Sequence, residues 1–168
     1  FRHYVRKGDA CLYLYSTQKY LDLLPLIRAN CTGLIVSGMI KNRKELESLK
    51  YDLDDHFQKG GELLGHNIVA FDLPILRDSM DIYCIHKYLN AKQYIDTSKD
   101  LLKGHGERLQ LKNLVKHSLD DSKLMDSADA PKLWKMGQYD EVVEYCMKDT
   151  QLVYDLWKYG QDNGFVKA

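Results

Sequence analysis

The 168-residue sequence lacks a charge excess of either sign, because 24 lysine and arginine residues balance 24 aspartate and glutamate residues. A protein that coats nucleic acid through its net positive charge is therefore excluded, and any such contact requires a local basic patch. No apolar run approaches the roughly 20 residues of a membrane span, and no signal peptide is recognisable. We expect a soluble protein with no membrane partner.

Clustered cysteines are also lacking. The four cysteines are far apart and form no CxxC pair, which argues against a zinc site and a disulfide scaffold; they are Cys11, Cys31, Cys84 and Cys146. We expect free thiols and hence an intracellular, reducing compartment, with cytoplasm, nucleus and organelle matrix not distinguished.

Internal repeats, low-complexity tracts and Pro/Gly/Ser-rich linkers are absent as well, so residues 1–168 read as one domain. Because the chain starts at Phe1 rather than methionine, we expect a fragment of a longer polypeptide or a processed chain. Apolar runs predict strands, and apolar spacings of three and four predict helices. The predicted strands are 10–15, 32–40, 62–69 and 94–96, and the predicted helices are 41–59 (ended by Gly60-Gly61), 73–80, about 109–115, and 140–159 (ended by Gly160). This alternation favours an α/β fold with a partly parallel sheet.

The last predicted helix carries an acid where acids are costly. Its apolar stripe includes Val142, Cys146 and Val153, and Asp149 continues that stripe one turn after Tyr145. Burying a carboxylate costs several kcal/mol unless a cation, a metal or a strong hydrogen bond compensates for it. Asp149 is therefore a candidate site residue; the alternative is a carboxylate at the edge of the stripe, paired with a lysine.

A second candidate acid, Asp72, ends the strand-like run GHNIVAFD and opens a helix. The alternative is a structural role, since aspartate is a favoured N-cap and proline suits the first helical turn.

Four segments, in order, resemble those of the DEDDy 3'–5' exonucleases of the RNase H-like superfamily. They are GHNIVAFDLPIL, YIDT, LQLKNLVKHSL and EVVEYCMKDTQLVYDLWKYG. The likeness covers about residues 61–166, is greatest to exonuclease domains attached to bacterial DEAD-box helicases, and extends more distantly to phage family-A polymerase proofreading domains. It implies an RNase H-like mixed β-sheet with helices on both faces.

The resemblance also implies a site. Asp72 and Asp149 would be metal ligands for Mg²⁺ or Mn²⁺, Tyr145 would hydrogen-bond the attacking water, and His66 and Asn67 would line the substrate groove. In such enzymes, two ions activate the water and stabilise the leaving oxygen.

The first motif of that family, Asp-x-Glu on the opening strand, is missing. Leu14 and Ser16 stand in its place, and Asp9 and Asp22 lack the alternating spacing that would put two carboxylates on one face. Losing two of four carboxylates predicts weak metal binding and little or no hydrolysis.

A local basic segment lies between residues 98 and 118, so single-stranded nucleic acid is a predicted partner. Its basic side chains are Lys99, Lys103, His105, Arg108, Lys112, Lys116 and His117. Three functions stay open: a degenerate exonuclease domain that binds nucleic acid or acts as a scaffold in a larger replication or RNA-processing complex, an active two-metal 3'–5' exonuclease with carboxylates supplied elsewhere, and a protein–protein interaction module.

Overall fold

The computed structural model describes residues 43–79, 81–122, 124–125 and 129–168. The predicted strands at 10–15 and 32–40 lie outside these residues. So do Leu14, Ser16, Asp9 and Asp22, on which the missing-motif prediction depends.

Seven α-helices, one π-helical segment and two strands make up the described residues. In chain order they are α1 (Arg43–Gln58), β1 (Leu63–Gly65), α2 (Asp72–Pro74), the π-helical segment (Ile75–Ser79), α3 (Cys84–Ala91), β2 (Tyr94–Asp96), α4 (Thr97–His105), α5 (Leu111–Leu119), α6 (Ala130–Lys135) and α7 (Tyr139–Asn163). The prediction of the first helix and of the strand at 94–96 is confirmed. Helices α3, α4 and α6 were not predicted.

The two strands form a parallel pair in which Leu63 faces Tyr94 and Gly65 faces Asp96. Parallel strands need a long crossover, and α2, the π-helical segment and α3 supply it. The described residues are therefore compatible with the expected α/β class, although they are mostly helical and the sheet within them has only two strands.

The main core lies between α1, β1 and the crossover helices. Its buried side chains are Leu49, Leu53, Leu63, Ile68, Leu73, Leu76, Ile82, Cys84, Ile85 and Tyr88. Leu49 and Leu53 are one turn apart in α1, and Leu46 and Phe57 extend the same stripe at the edge of the core. The spacing of these four residues predicts the helix from the sequence, and the stripe that they form is the side of α1 that packs against the core.

Tyr88 joins α3 to α1 through a polar contact inside this core. Its hydroxyl donates to the carbonyl of Leu53 at 2.8 Å and lies 2.7 Å from Nδ1 of His56. A hydroxyl has only one proton, so Nδ1 of His56 is the donor in the second bond. The His56 ring packs directly over Gly61, where a Cβ atom would overlap the ring.

We expect Gly61→Ala to lower the free energy of unfolding by about 1–3 kcal/mol, because the added methyl must displace an imidazole held by Tyr88. Urea unfolding followed by circular dichroism measures the change. Gly104→Ala is the matched control, because Gly104 lies inside α4 and an added Cβ would meet nothing within 4 Å beyond the adjacent residues and the backbone of its own helix. There we expect no loss, or a gain of about 0.5–1 kcal/mol. Equal effects at the two positions would contradict the packing argument.

Helix α7 does not end at Gly160, so that prediction is wrong. The helix continues to Asn163, and Gly164 ends it with a left-handed φ of 76° and a bond from its N–H to the carbonyl of Gly160. Gly160 allows a close approach and does not end the helix: the chain turns back along the helix, and a Cβ at Gly160 would lie only 3.3 Å from Cγ1 of Val166.

The segment after α7 is fixed to α5. The hydroxyl of Ser118 donates to the carbonyl of Lys167 at 3.1 Å and accepts from its N–H at 2.8 Å. Phe165 meets the ring of Tyr159 edge-on, with centroids 6.1 Å apart. These contacts hold the turn against the end of α7.

A second, smaller core joins α6 to the first half of α7. It buries Ala130, Val142, Tyr145 and Cys146. In the part of the chain that the structure describes, every helix is too short or too polar to cross a membrane.

Candidate functional site

Asp96 organises the carboxyl edge of the parallel pair. It is only 4% exposed, and its carboxylate accepts three backbone N–H groups: Asn67 at 2.8 Å, Val69 at 3.1 Å and Lys99 at 3.2 Å. The first two lie in the loop that follows β1, and the third lies in the first turn of α4. One carboxylate therefore both caps α4 and fixes the shape of the loop that leads to Asp72.

Thr97 adds a second link between the two strand ends. Its hydroxyl donates to the carbonyl of Gly65 at 3.3 Å, and its oxygen lies 3.0 Å from Nδ1 of His66. Since the hydroxyl proton is used on Gly65, Nδ1 of His66 is the donor to Thr97. His66 is half-buried and is held at the edge of the sheet.

The predicted strand at 62–69 is shorter in the structure, because the chain turns sharply after Gly65. Asn67 has a left-handed φ of 64°, which asparagine tolerates better than most residues. A Cβ at Gly65 would lie 2.7 Å from Cβ of Ile68, so the turn closes only around a glycine. His66 and Asn67 consequently lie in a loop over Asp96 and not in a strand.

Asp72 is the first residue of α2, and its side chain is exposed. The N-cap position belongs to Phe71, without a side-chain capping bond. Desolvation by the surrounding chain raises the pKa of Asp72 to about 7; a backbone hydrogen bond opposes this and the nearby carboxylate of Asp96 adds to it. Water that reaches the exposed carboxylate stabilises its charged form and so limits the shift.

Tyr145 and Asp149 are one turn apart on α7, which packs against β1. Tyr145 has no exposed surface, so a role in orienting a water would require the residues that cover it to move. Asp149 is half-buried, and its Oδ1 atom is shielded from solvent. The expectation that this acid lies toward the protein interior is met for that atom. The neighbouring Lys148 pairs with Asp121 at 2.5 Å.

The carboxylates of the described residues do not by themselves make the metal site that the resemblance implies. No group of three or more His, Cys, Asp or Glu side chains within residues 43–168, as far as they are described, is arranged to hold an ion. Asp96, the buried acid beside Asp72, has both oxygens engaged by backbone N–H groups.

The predicted basic side chains all reach solvent. Lys99 and Lys103 lie one turn apart on α4, and Lys112 and Lys116 lie one turn apart on α5, so each pair shares one face of its helix. Every basic side chain of the segment is exposed: Lys99, Lys103, His105, Arg108, Lys112, Lys116 and His117. We call these seven residues the basic surface.

Asp96 and Thr97 are not among the site residues predicted from the sequence. Both stand in the segment YIDT, which carried only the family likeness. The available signal was an aspartate between a strand and a helix, the position of an N-cap. The two further bonds to the loop 29 and 27 residues earlier have no local signal.

No protein-family model, no curated protein and no solved structure matches this chain. The likeness to DEDDy exonucleases stays a prediction.

Proposed function

We propose that this chain is an RNase H-like, exonuclease-fold domain that binds single-stranded nucleic acid through the basic surface and hydrolyses it weakly or not at all. In this role it would serve a replication or RNA-processing assembly as a binding module.

The exposed charge of the basic surface is the observation that carries the proposal. Residues 97–118 hold five lysine and arginine residues against two aspartate and glutamate residues, whereas the whole chain is neutral. One of these cations, Lys103, contacts Asp100 at 3.4 Å, and both side chains of that pair are well exposed. Such a pair is weak, so a phosphate can replace the carboxylate.

Weak or absent hydrolysis is supported by the sequence together with the geometry of Asp96. Leu14 and Ser16 replace the first pair of carboxylates of the resembled family. Asp96 is no substitute for them, because it already accepts three backbone N–H groups. One observation favours the second candidate, an active nuclease: Oδ1 of Asp149 is shielded from solvent, and a metal ion is one of the groups that can compensate for burial of a carboxylate. The hydrolysis assay below separates the two candidates.

We expect a labelled single-stranded oligonucleotide to bind with a strong salt dependence. If four to five cations contact phosphates, log K falls with log salt concentration with a slope of about −3 to −3.5, which is roughly 50- to 130-fold between 50 and 200 mM salt. Fluorescence anisotropy over that range measures the slope. A slope near zero, or no binding at 50 mM salt, would overturn the proposal.

The hydrolysis assay uses the same oligonucleotide, labelled at its 5' end, with Mg²⁺ and then Mn²⁺. We expect a strand of unchanged length. Shortening from the 3' end that stops in Asp149→Ala would establish the active nuclease instead.

A further inference from the structure

A groove next to α4 is lined by aromatic, apolar and polar side chains. It lies between the start of α4 and the last turns of α7, is closed by the turn that Ser118 holds, and has a volume of about 270 Å³. This is at the small end of ligand pockets. Its lining includes Thr97, Asp100, Leu101, Trp157, Gln161 and Phe165.

The lining combines two aromatic rings with polar groups at its edge. Phe165 is 55% exposed, although contact between an apolar ring and water costs free energy. Trp157 is half-buried, with its ring 6.1 Å from that of Tyr154. Asp100 and Gln161 are exposed side chains that can accept or donate hydrogen bonds at the mouth.

The charge next to the groove selects the kind of ring. Asp100 lines the groove and contacts Lys103 at 3.4 Å. Lys99 precedes Asp100 on α4, with its ammonium group 5.8 Å from the centroid of the Tyr94 ring. A base within a strand complements this arrangement, because the sugar that carries the base has a phosphate on each side. An uncharged aromatic side chain of a partner protein would leave both lysines unused.

From this geometry we infer that the groove takes one unstacked base of the bound strand, which stacks on Phe165 while its flanking phosphates meet Lys99 and Lys103. The inference rests on the proposed function and deepens it, because it adds a base-binding site to a surface that otherwise contacts only phosphates. Stacking on aromatic side chains is a general mode of single-strand binding and tolerates different bases.

The test compares oligonucleotide binding by the full chain and by three variants at one salt concentration. Phe165→Ala removes the stacking face and should weaken binding roughly 5- to 100-fold, while Phe165→Tyr keeps the ring and should bind like the parent. Tyr51→Ala is the matched control, because Tyr51 is 77% exposed on α1; it should bind unchanged.

A strand without bases separates stacking from a change of fold. An oligonucleotide of abasic residues should bind the parent chain as weakly as a normal strand binds Phe165→Ala, and Phe165→Ala should cost nothing further on it. The salt slope should be the same for Phe165→Ala and the parent, because the phosphate contacts remain.

Failure of this inference differs from failure of the proposed function. If the parent chain binds with the expected slope and Phe165→Ala binds equally well, the groove is not a base site and is open to an aromatic side chain of a protein. If the parent chain does not bind the strand at all, the proposed function has failed, and the base site fails with it.

Discussion

Replacing Asp96 with alanine should lower the free energy of unfolding by about 3–5 kcal/mol. The carboxylate is 4% exposed, and its loss leaves three backbone N–H groups without their acceptor. Each such group costs about 1–3 kcal/mol when water cannot reach it, and the half-buried loop admits some water, which brings the sum below the maximum. Urea unfolding followed by circular dichroism measures the loss.

Asp96→Asn gives a second measurement that keeps the side-chain shape. One amide oxygen can still accept from Asn67 and Lys99, but the amide nitrogen would meet the N–H of Val69, donor against donor. We expect the free energy of unfolding of Asp96→Asn to lie between those of the parent chain and Asp96→Ala. Asp52→Ala is the control, because Asp52 is exposed on α1 and a surface change of this kind stays within about 0.5 kcal/mol. A loss below 1 kcal/mol for Asp96→Ala would show that the loop does not depend on the carboxylate.

Neutralising the four lysines of the basic surface should weaken oligonucleotide binding by roughly 10² to 10³ at about 0.1 M salt. The variant changes Lys99, Lys103, Lys112 and Lys116 to glutamine. Each phosphate contact contributes about a factor of five at that salt concentration, and the magnitude of the slope of log K against log salt concentration should fall from about 3 to less than about 1. Anisotropy titrations at several salt concentrations provide both values.

The matched control removes the same number of charges from other surfaces, where Lys59, Lys87, Lys132 and Lys135 are all exposed. Their replacement by glutamine gives the same net charge and should change affinity by less than about threefold, through the long-range field alone. If both variants lose affinity equally, binding follows net charge and the basic surface is not its site.

Local pattern predicted those elements whose formation depends on near neighbours. The apolar spacing of Leu46, Leu49, Leu53 and Phe57 gave α1, and Tyr94–Asp96 formed a strand where it was predicted. The predicted strand at 62–69 is mostly a loop because Asp96, far along the chain, captures the N–H groups of Asn67 and Val69. That bond is set by the register of the two strands, which no window of sequence contains.

Gly160 shows why a glycine alone does not mark a helix end. The stop requires a left-handed backbone, which Gly164 has and Gly160 lacks. The absence of a Cβ atom at Gly160 instead makes room for Val166. In the candidate site, the position of Asp149 on an apolar stripe was enough to predict that this acid lies toward the interior. The burial of Tyr145 depends on the packing of α6 against α7, which the sequence does not show.

The close approach at Gly65 narrows the range of sequences that can encode this domain. A Cβ there would lie 2.7 Å from Cβ and 2.8 Å from Cδ1 of Ile68, and the next residue but one already has a left-handed backbone. Few substitutions are therefore tolerated at Gly65 and Asn67. A descendant that lost Gly65 would have to rebuild the whole turn, whereas the exposed lysines of α4 and α5 can be exchanged one at a time without such a rearrangement.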